Sequence, residues 1–233
     1  MPSAYFDVDG TLVTTDLLGP TVRFLANQAT PAASIRRVGR ALFDAPRMAW
    51  AEVVDRRLFN EALFSHYRGI THNRMMVLAE EIYADVIRPA LFPGARDLIR
   101  RCQDAGLRVV LVTGSLDYTT RLLAEDLGAD HWIANRLEMK DRIATGKLMR
   151  PVVAGPAKAN LIVEDARDAG HDLAECHAYS DSSSDLPMLS VVGHPSCINP
   201  DRKLQRLARS NDWPILDIAT KSRGPVARSP GEA

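Results

Sequence analysis

The sequence predicts an α/β protein in which a doubly wound parallel sheet carries an inserted helical segment. After about residue 94, short apolar runs alternate with segments of helical period. This alternation is typical of a parallel sheet with helices on both faces. Residues 17–89 are helical in period and contain no clear strand. Most residues with reactive side chains follow the apolar runs, and ligand sites in such sheets lie at the carboxyl ends of the strands.

The first apolar run, residues 4–6, leads directly into the segment Asp7-Val8-Asp9-Gly10-Thr11. Successive side chains of a strand point to opposite faces, so Asp7 and Asp9 share a face if the strand continues. They converge on one point if the chain turns at Gly10. Two carboxylates this close repel each other, and a bound cation allows both to stay ionised. The residues alone leave a second interpretation open, in which the pair caps a turn.

Residues 17–89 are interpreted as consecutive amphipathic helices. The first is predicted over residues 17–28, with Asp16 as its N-cap, and helical spacing continues to about residue 86. Prolines at positions 89 and 93 mark the end of the segment. Six arginines are scattered through it, and a solvated helical face is the simplest interpretation of Arg36, Arg37, Arg40, Arg47, Arg56 and Arg57.

The remaining elements are predicted from apolar period and from glycine and proline signals. Strands are expected at residues 107–112, 131–134, 175–180 and 195–198, and helices at residues 116–127, 156–169 and 201–210, with a further helix that stops at Gly106. Polar turns at Lys140-Asp141 and Thr145-Gly146 indicate a small β excursion between residues 137 and 153. The tail, residues 219–233, has no apolar period and is expected to be disordered.

Composition describes a globular protein, with 46% hydrophobic and 25% charged residues. Lys plus Arg equals Asp plus Glu at 29 each, so the overall charge indicates neither a nucleic acid nor a membrane partner. The three cysteines are widely spaced, which favours a reduced protein. No apolar run approaches the roughly 20 residues that span a bilayer, and the first motif leaves no space for a signal peptide. We therefore expect a cytoplasmic protein.

The Asp-x-Asp-Gly-Thr segment closely resembles the first motif of the haloacid dehalogenase (HAD) superfamily of phosphohydrolases. The other motifs of this superfamily have counterparts in the same order, at Val109-Val110-Leu111-Val112-Thr113-Gly114-Ser115, Gly155-Pro156-Ala157-Lys158 and Tyr179-Ser180-Asp181-Ser182-Ser183-Ser184-Asp185. The resemblance covers residues 4 to about 217 and is closest to the phosphoserine phosphatase-like branch, subfamily IB. It implies a Rossmann-like core of residues 1–16 and 90–218 with a helical cap of residues 17–89.

By this resemblance the protein is a magnesium-dependent phosphomonoester hydrolase, with Asp7 as the nucleophile that forms an aspartyl phosphate. Asp9 would protonate the leaving group and then activate water. Superfamily members that cleave carbon–halogen bonds lack an acid at this position. The Asp7 carboxylate, the Asp9 carbonyl and Asp181 would hold Mg²⁺, while Asp185 would support these ligands without being a principal one.

The resemblance also implies a phosphate site made by Thr113, Gly114 and Lys158. A hydroxyl and an unobstructed N–H suit phosphoryl oxygens, and a lysine neutralises the charge of the phosphate and of Asp7 together. Simpler interpretations remain open for two of these residues. Thr113 is also what a plain strand end would contain, and Lys158 is also what a solvated helix start would contain. Residues 180–184 likewise have the composition of an ordinary polar loop.

For the substrate, the resemblance points to a small phosphorylated metabolite and includes phosphoserine. Asp16 lies at the position of an acidic substrate-binding residue, although it is shorter than the usual Glu. Arg56 and Arg57 are candidates for the cap arginine that holds the amino acid. Ser184 occupies the place of a usual Asn. Two other functions remain open, a phosphotransferase that uses an alcohol acceptor and a phospholigand-binding module with little turnover.

Overall fold

The computed structural model describes residues 2–27 and 30–219, without the side chains of residues 33, 52 and 53. The strands in this part of the chain are β1 Ser3–Phe6, β2 Arg108–Leu116, β3 His131–Asn135, β4 Leu137–Lys140, β5 Ile143–Leu148, β6 His177–Ser180, β7 His194–Ile198 and β8 Ile215–Leu216. Six of them form one parallel sheet in the order β3-β2-β1-β6-β7-β8. β4 and β5 form a separate antiparallel hairpin.

Helices connect the parallel strands and cover the sheet. They are α1 Leu18–Ala26, α2 Pro31–Val54, α3 Arg56–Ser65, α4 His72–Ile82, α5 Ala95–Asp104, α6 Asp117–Leu127, α7 Pro156–Ala169, α8 Leu186–Ser190 and α9 Arg202–Ser210. A π-helical turn covers Tyr83–Ile87, and 3-10 turns cover Arg88–Ala90, Leu173–Glu175 and Ser183–Asp185. No helix among the described residues is long and apolar enough to cross a bilayer.

Successive residues of the central strands pack into two separate hydrophobic cores. Phe6 and Leu111 belong to the core that contains residues of α5 and α6. Tyr5 and Val110 point the other way, into a core completed by Ile162 of α7 and by residues of α8 and α9. Both faces of the sheet are therefore buried, which explains why β2 is an unbroken apolar run. The predicted doubly wound parallel sheet is confirmed.

Helices α1 to α4 lie between β1 and β2, where the sequence predicted only helices. Asp16 Oδ1 accepts the backbone N–H groups of Leu18 and Gly19, each at 3.0 Å, and so caps the start of α1, although the N-cap position itself is Leu17. The helix itself ends at Ala26. The order of elements matches the predicted core and cap, and the division into two domains stays a prediction. The predicted disordered tail lies outside the described residues, apart from residue 219.

The β excursion is confirmed as the β4–β5 hairpin, but its turns differ from the prediction. Asp141 and Arg142 adopt positive φ values of 50° and 62° and make the turn, one residue later than predicted. The second predicted turn, at Thr145-Gly146, is wrong because β5 runs through it. Gly146 instead allows a close approach to the helical segment. A Cβ on this residue would lie 2.9 Å from the Ser65 carbonyl oxygen.

Strands β2 and β8 also differ from the predictions. β2 continues past the predicted end at residue 112 to Leu116, with a register shift against β3 between Thr113 and Leu116. Strand β8 was not predicted. Only two residues long, it pairs with the end of β7 and is too short to show a period in the sequence.

A half-buried ion pair links α7 to the first two strands of the chain. The Arg108 guanidinium at the start of β2 donates to both Asp165 oxygens, at 2.6 and 3.1 Å. The Tyr5 hydroxyl donates to the same carboxylate at 3.0 Å. Burial raises the pKa of Asp165, but the hydrogen bonds and charge of Arg108 outweigh it, so the pKa lies below its ordinary value of 3.8.

We expect Asp165→Asn to lower the free energy of unfolding at pH 7 by about 1–3 kcal/mol, because a charged hydrogen-bond acceptor is lost. Since folding lowers the pKa of Asp165, the stability that it contributes is present above its unfolded pKa and is lost as the pH falls through its folded pKa. The difference between wild type and variant should therefore shrink below about pH 4. Urea unfolding at a series of pH values measures this difference.

Asp168→Asn is the matched control, because Asp168 lies on the same helix and its exposed carboxylate pairs only with its neighbour Arg167 among the described residues. This substitution should change the free energy of unfolding by less than about 0.5 kcal/mol. Equal losses from the two substitutions, or a loss from Asp165→Asn that is independent of pH, would contradict the assignment.

Candidate active site

The predicted site residues meet at the carboxyl ends of three neighbouring strands. Asp7 directly follows β1, Thr113 lies near the end of β2, and Asp181 directly follows β6. Because β1 lies between β2 and β6 in the sheet, these ends are adjacent in space although the residues are far apart in sequence. Lys158 reaches the same place from the first turn of α7.

A buried ammonium joins two buried carboxylates at the centre of this site. Lys158 Nζ donates to Asp7 Oδ1 at 2.6 Å and to Asp185 Oδ2 at 2.9 Å. The Ser180 hydroxyl donates to the same Asp185 oxygen at 2.9 Å. All four residues are buried, so the interpretation of Lys158 as a solvated lysine is wrong. Asp185 thus contacts Lys158 and Ser180, and its predicted support of the metal ligands stays a prediction.

The charge of Lys158 is fixed by these contacts. A lysine in the first turn of a helix opposes the helix dipole, and burial disfavours its charged form. The carboxylates of Asp185 and Asp7 outweigh burial, so the pKa of Lys158 is raised above its ordinary value. Lys158 therefore stays protonated at neutral pH and supplies the positive charge of the site.

Thr11 connects Asp7 to the second acidic motif. Its hydroxyl lies 3.0 Å from Asp7 Oδ2 and 2.9 Å from Asp181 Oδ1, and it accepts the Asp181 N–H at 3.0 Å. Gly10 turns the chain with a φ of +87°, and a Cβ there would lie 2.4 Å from Asp181 Oδ2. Glycine at this position therefore allows both the turn and the close approach of Asp181.

Asp9 is held by two hydroxyl groups at the end of β2. Thr113 and Ser115 donate to Asp9 Oδ2 at 2.9 and 3.0 Å, and the Ser115 N–H donates to Thr113 Oγ1 at 3.0 Å. Burial raises the pKa of Asp9, although both hydrogen bonds oppose the rise. Thr113 uses its hydroxyl hydrogen on Asp9 here, so its predicted phosphate contact stays a prediction. The role of Ser115 was missed, although its place in the motif could have indicated it.

An amide network fixes the backbone at Gly114. Asn135 Nδ2 donates to the Gly114 carbonyl oxygen at 2.8 Å, and Asn135 Oδ1 accepts the Val153 N–H at 2.8 Å. Asn60 of α3 is buried beside it, and a Cβ on Gly114 would lie 3.0 Å from Asn60 Nδ2. Sequence reasoning missed both asparagines because neither belongs to a motif and both reach the site through the fold.

The carboxylates of the site suit a hard cation. Burial raises the pKa of Asp7, even though the charge of Lys158 opposes the rise, and the charges of Asp185, Asp181 and Asp9 add to it. Burial raises the pKa of Asp181 as well. Among the described residues, no group of three His, Cys, Asp or Glu side chains is arranged to hold a metal ion. The predicted ligand set has only two carboxylates and one backbone carbonyl, and these oxygen donors fit Mg²⁺.

The three predicted substrate residues have different surroundings in the structure. Asp16 is exposed and caps α1. Arg57 is exposed and lies 3.9 Å from Asp55 Oδ2. Arg56 is also exposed, but its positive charge acts on Asp9 and, with the hydroxyl contacts, opposes the effect of burial on the pKa of Asp9. Of the two arginines, Arg56 is the one whose charge is among the main influences on the pKa of Asp9.

Residues 4–190 match the haloacid dehalogenase-like hydrolase family, and this match covers most of the chain. The chain belongs to that family. The predicted membership is thus confirmed, and the four motifs that carried the prediction lie together in the site described above.

The chain is also similar to curated proteins of other bacteria. The chain is 39% identical over 151 residues to an inhibition of morphological differentiation protein of Streptomyces azureus, covering 65% of this chain and 54% of that protein. It is 38% identical over 144 residues to a phosphoserine phosphatase of Mycobacterium tuberculosis, covering 62% of this chain and 47% of that protein. The chain thus spans about half the length of these relatives.

Solved structures share the fold. A Bordetella pertussis protein of unknown function superposes with a TM-score of 0.79 at 27% identity, covering 93% of this chain and 98% of that one. A phosphoserine phosphatase in its apo form superposes with a TM-score of 0.66 at 20% identity, covering 94% of this chain and 94% of that one. The arrangement of sheet and helices is therefore that of the phosphoserine phosphatase-like fold.

We expect Lys158→Met to lower the free energy of unfolding by about 3–5 kcal/mol, because it leaves Asp7 and Asp185 buried without their cation. Urea unfolding in the presence of a chelator measures the loss without any contribution from a bound metal. Adding Asp185→Asn should recover part of the stability, since only one carboxylate then stays uncompensated.

Lys147→Met serves as the control, because Lys147 is exposed on β5. It should leave the unfolding midpoint nearly unchanged. If Lys158→Met were as stable as this control, the two buried ion pairs would not determine the stability of the site.

Proposed function

We propose that this protein is a magnesium-dependent phosphomonoester hydrolase that acts through an aspartyl phosphate formed on Asp7. One observation carries the proposal. Asp7 is a buried carboxylate held at 2.6 Å by Lys158, and Asp9, two residues later, is held by the Thr113 and Ser115 hydroxyls. Membership of a hydrolase family and the phosphatase names of several relatives support it.

In the first step an oxygen of Asp7 attacks the phosphorus atom, and the bond between phosphorus and the leaving oxygen breaks. Asp9 gives its proton to that oxygen, so the product leaves as a neutral alcohol. Burial raises the pKa of Asp9, and this direction favours the protonated form that the role of acid requires. Lys158 offsets negative charge on Asp7 and on the phosphoryl group as they approach.

In the second step Asp9, now ionised, takes a proton from water. The water oxygen bonds to phosphorus, the bond from phosphorus to Asp7 breaks, and inorganic phosphate is released. Gly114 would present its N–H to a phosphoryl oxygen, and the Asn135 contact to its carbonyl oxygen holds this stretch of backbone in place. Asp7, Asp181 and the Asp9 carbonyl would hold Mg²⁺, which supplies charge neutralisation for the phosphoryl oxygens when bound.

A cytoplasmic location is part of the proposal. Cys102, Cys176 and Cys197 are all buried free thiols, as is usual in a reducing compartment.

We expect Asp7→Asn to abolish phosphate release and acyl phosphate formation, because the amide is a poor nucleophile. Asp9→Asn should lower kcat by about 10²–10⁴-fold for an alkyl phosphate, which needs a proton on its leaving oxygen. The loss should be smaller for an aryl phosphate, whose leaving group departs more readily as an anion. Phosphate release with magnesium and with a chelator, from a panel of phosphomonoesters, measures these effects.

Asp97→Asn is the control, since Asp97 is an exposed acid in the first turn of α5. It should keep full activity. Near-normal turnover by Asp7→Asn would remove the proposed nucleophile. If phosphate release were low and a new phosphorylated product formed on adding an alcohol, the protein would be a phosphotransferase. Binding of phosphomonoesters without either product would indicate a binding module.

We further propose phosphoserine as a substrate, on the basis of the relatives named phosphoserine phosphatase and of Arg56. The charge of Arg56 acts on Asp9, and a guanidinium can pair with the carboxylate of an amino-acid substrate. Arg56→Gln should therefore raise KM for phosphoserine by about 10–100-fold, the usual worth of a hydrogen bond between charged groups. The KM for an aryl phosphate, which has no such carboxylate, should change little.

Arg57→Gln is the matched control, because the adjacent side chain pairs with Asp55 instead. Equal effects of the two substitutions on phosphoserine, or equal effects of Arg56→Gln on both substrates, would contradict the assignment of Arg56 and leave the hydrolase proposal untouched.

A further inference from the structure

The described side chains of helix α2 pack against the rest of the protein through one face. Met48 and Ala51 are buried on that face. Arg37 lies there too, and its guanidinium donates to the carbonyl oxygens of His66 at 2.7 Å and Arg68 at 3.0 Å. These contacts attach α2 to the chain between α3 and α4 and define which side of the helix faces inward.

The opposite face of α2 is apolar and exposed. With 100° between successive residues, five large apolar side chains fall within an arc of about 120° centred opposite Met48. Their exposed fractions range from 55% to 86%. They are Ile35, Leu42, Phe43, Trp50 and Val54, which we name the α2 stripe.

Such a stripe is unusual on a helix that already has a packed face. Single exposed apolar residues are common, but a contiguous apolar surface marks an interaction site. A surface helix normally presents charged and polar side chains on its outer face. In α2 the outer face instead contains two aromatic side chains, Phe43 and Trp50, of the kind that are enriched at membrane–water interfaces.

A row of positive charge follows one edge of the α2 stripe. Arg36, Arg40 and Arg47 are exposed and fall within about 40° of one another on the helical wheel. Within the described residues, none of the three forms an ion pair with a carboxylate. Asp44 of the same helix faces His66, with 3.5 Å between Asp44 Oδ2 and His66 Nε2, and so lies on the packed side.

We propose that the α2 stripe and its arginine row bind the surface of an anionic lipid bilayer. An apolar face with Phe, Trp and Leu beside a row of arginines is the arrangement by which amphipathic helices lie in the membrane interface. The apolar side chains enter the boundary of the acyl chains, and the arginines meet the negative headgroups. The helix lies on the membrane and does not cross it.

A second copy of the chain fits this surface less well. Symmetrical packing of two α2 stripes would bring two arginine rows into one interface. Like charges would then be buried together, without acidic side chains from the described part of α2 to offset them. An anionic bilayer satisfies both the apolar stripe and the arginine row.

This proposal departs from the expectation of no membrane partner, which rested on the charge of the whole chain. Equal totals of 29 basic and 29 acidic residues say nothing about how the charges are distributed. On α2 the arginine row lies along the edge of the outer face, whereas the carboxylate of Asp44 faces His66.

The test is co-sedimentation of the whole chain with vesicles of phosphatidylcholine alone or mixed with phosphatidylglycerol. Wild type should bind the mixed vesicles and bind phosphatidylcholine vesicles at least about 10-fold more weakly. Arg36→Gln/Arg40→Gln/Arg47→Gln should weaken binding to mixed vesicles by about 100-fold, at about 5-fold for each arginine near the surface. Phe43→Ser/Trp50→Ser should also remove most binding, because it shortens the apolar stripe.

Insertion of the stripe has its own signature in tryptophan fluorescence. The difference spectrum between wild type and Trp50→Phe should shift to the blue when mixed vesicles are added. Val163→Ser/Arg167→Gln on α7 is the control, since it removes one exposed apolar and one exposed basic side chain outside α2. This variant should bind as wild type does. Far-ultraviolet circular dichroism checks that each variant is folded.

Two results would overturn the proposal. The first is absence of binding to mixed vesicles, or binding that the α2 variants do not weaken relative to the α7 control. The second is a dimer in sedimentation equilibrium that Phe43→Ser/Trp50→Ser converts to a monomer, because the stripe would then be covered by a second copy. Neither result bears on the proposed hydrolase, which is measured with soluble substrates.

Discussion

The buried ammonium of Lys158 is the constraint on which the site depends. It lies 2.6 Å from Asp7 and 2.9 Å from Asp185. These two ion pairs join the start of α7 to the carboxyl end of β1 and to the segment that follows β6. A cation at a helix start is disfavoured both by burial and by the helix dipole. Two carboxylates offset these costs, and they do so only if α7 is fixed against the sheet. The hydrophobic core that contains Ile162 and the Arg108–Asp165 ion pair fix α7 in this position.

The order of the strands turns separate motifs into one site. β1 pairs with β2 on one side and with β6 on the other, so residues more than 100 positions apart end at the same edge. Close packing at that edge requires glycine where a Cβ would collide with a neighbouring side chain. Gly10 leaves room for the Asp181 carboxylate, and Gly114 leaves room for Asn60. The carboxylates consequently lie close together around a buried lysine, where an oxygen-binding cation and a protonated lysine are both favoured.

The sequence predicted the parts of this arrangement that are local and missed those that are created by the fold. Five site residues lie close in sequence to an apolar strand or to the start of a helix, so the apolar pattern and the order of the motifs located them. They are Asp7, Asp9, Lys158, Asp181 and Asp185. Asn60 and Asn135 act on Gly114 from elements without a motif, and only tertiary packing brings them there. At Gly146 the sequence predicted a local feature, a turn, that the fold does not contain. Glycine was interpreted as a turn signal, whereas here it permits β5 to pass close to the Ser65 carbonyl.

Helix α2 shows why helical period alone does not identify an inward face. Apolar residues occur on both sides of this helix, and its arginines occur on both sides as well. The structure distinguishes them by their partners. Arg37 is satisfied by two backbone carbonyl groups, whereas Arg40 is exposed at the edge of the α2 stripe. A solvated face would account for the arginines, whose charged groups are well hydrated. It would not account for Phe43 and Trp50 beside them, because exposure of apolar side chains to water is unfavourable. A surface that is apolar and anionic at once accounts for both.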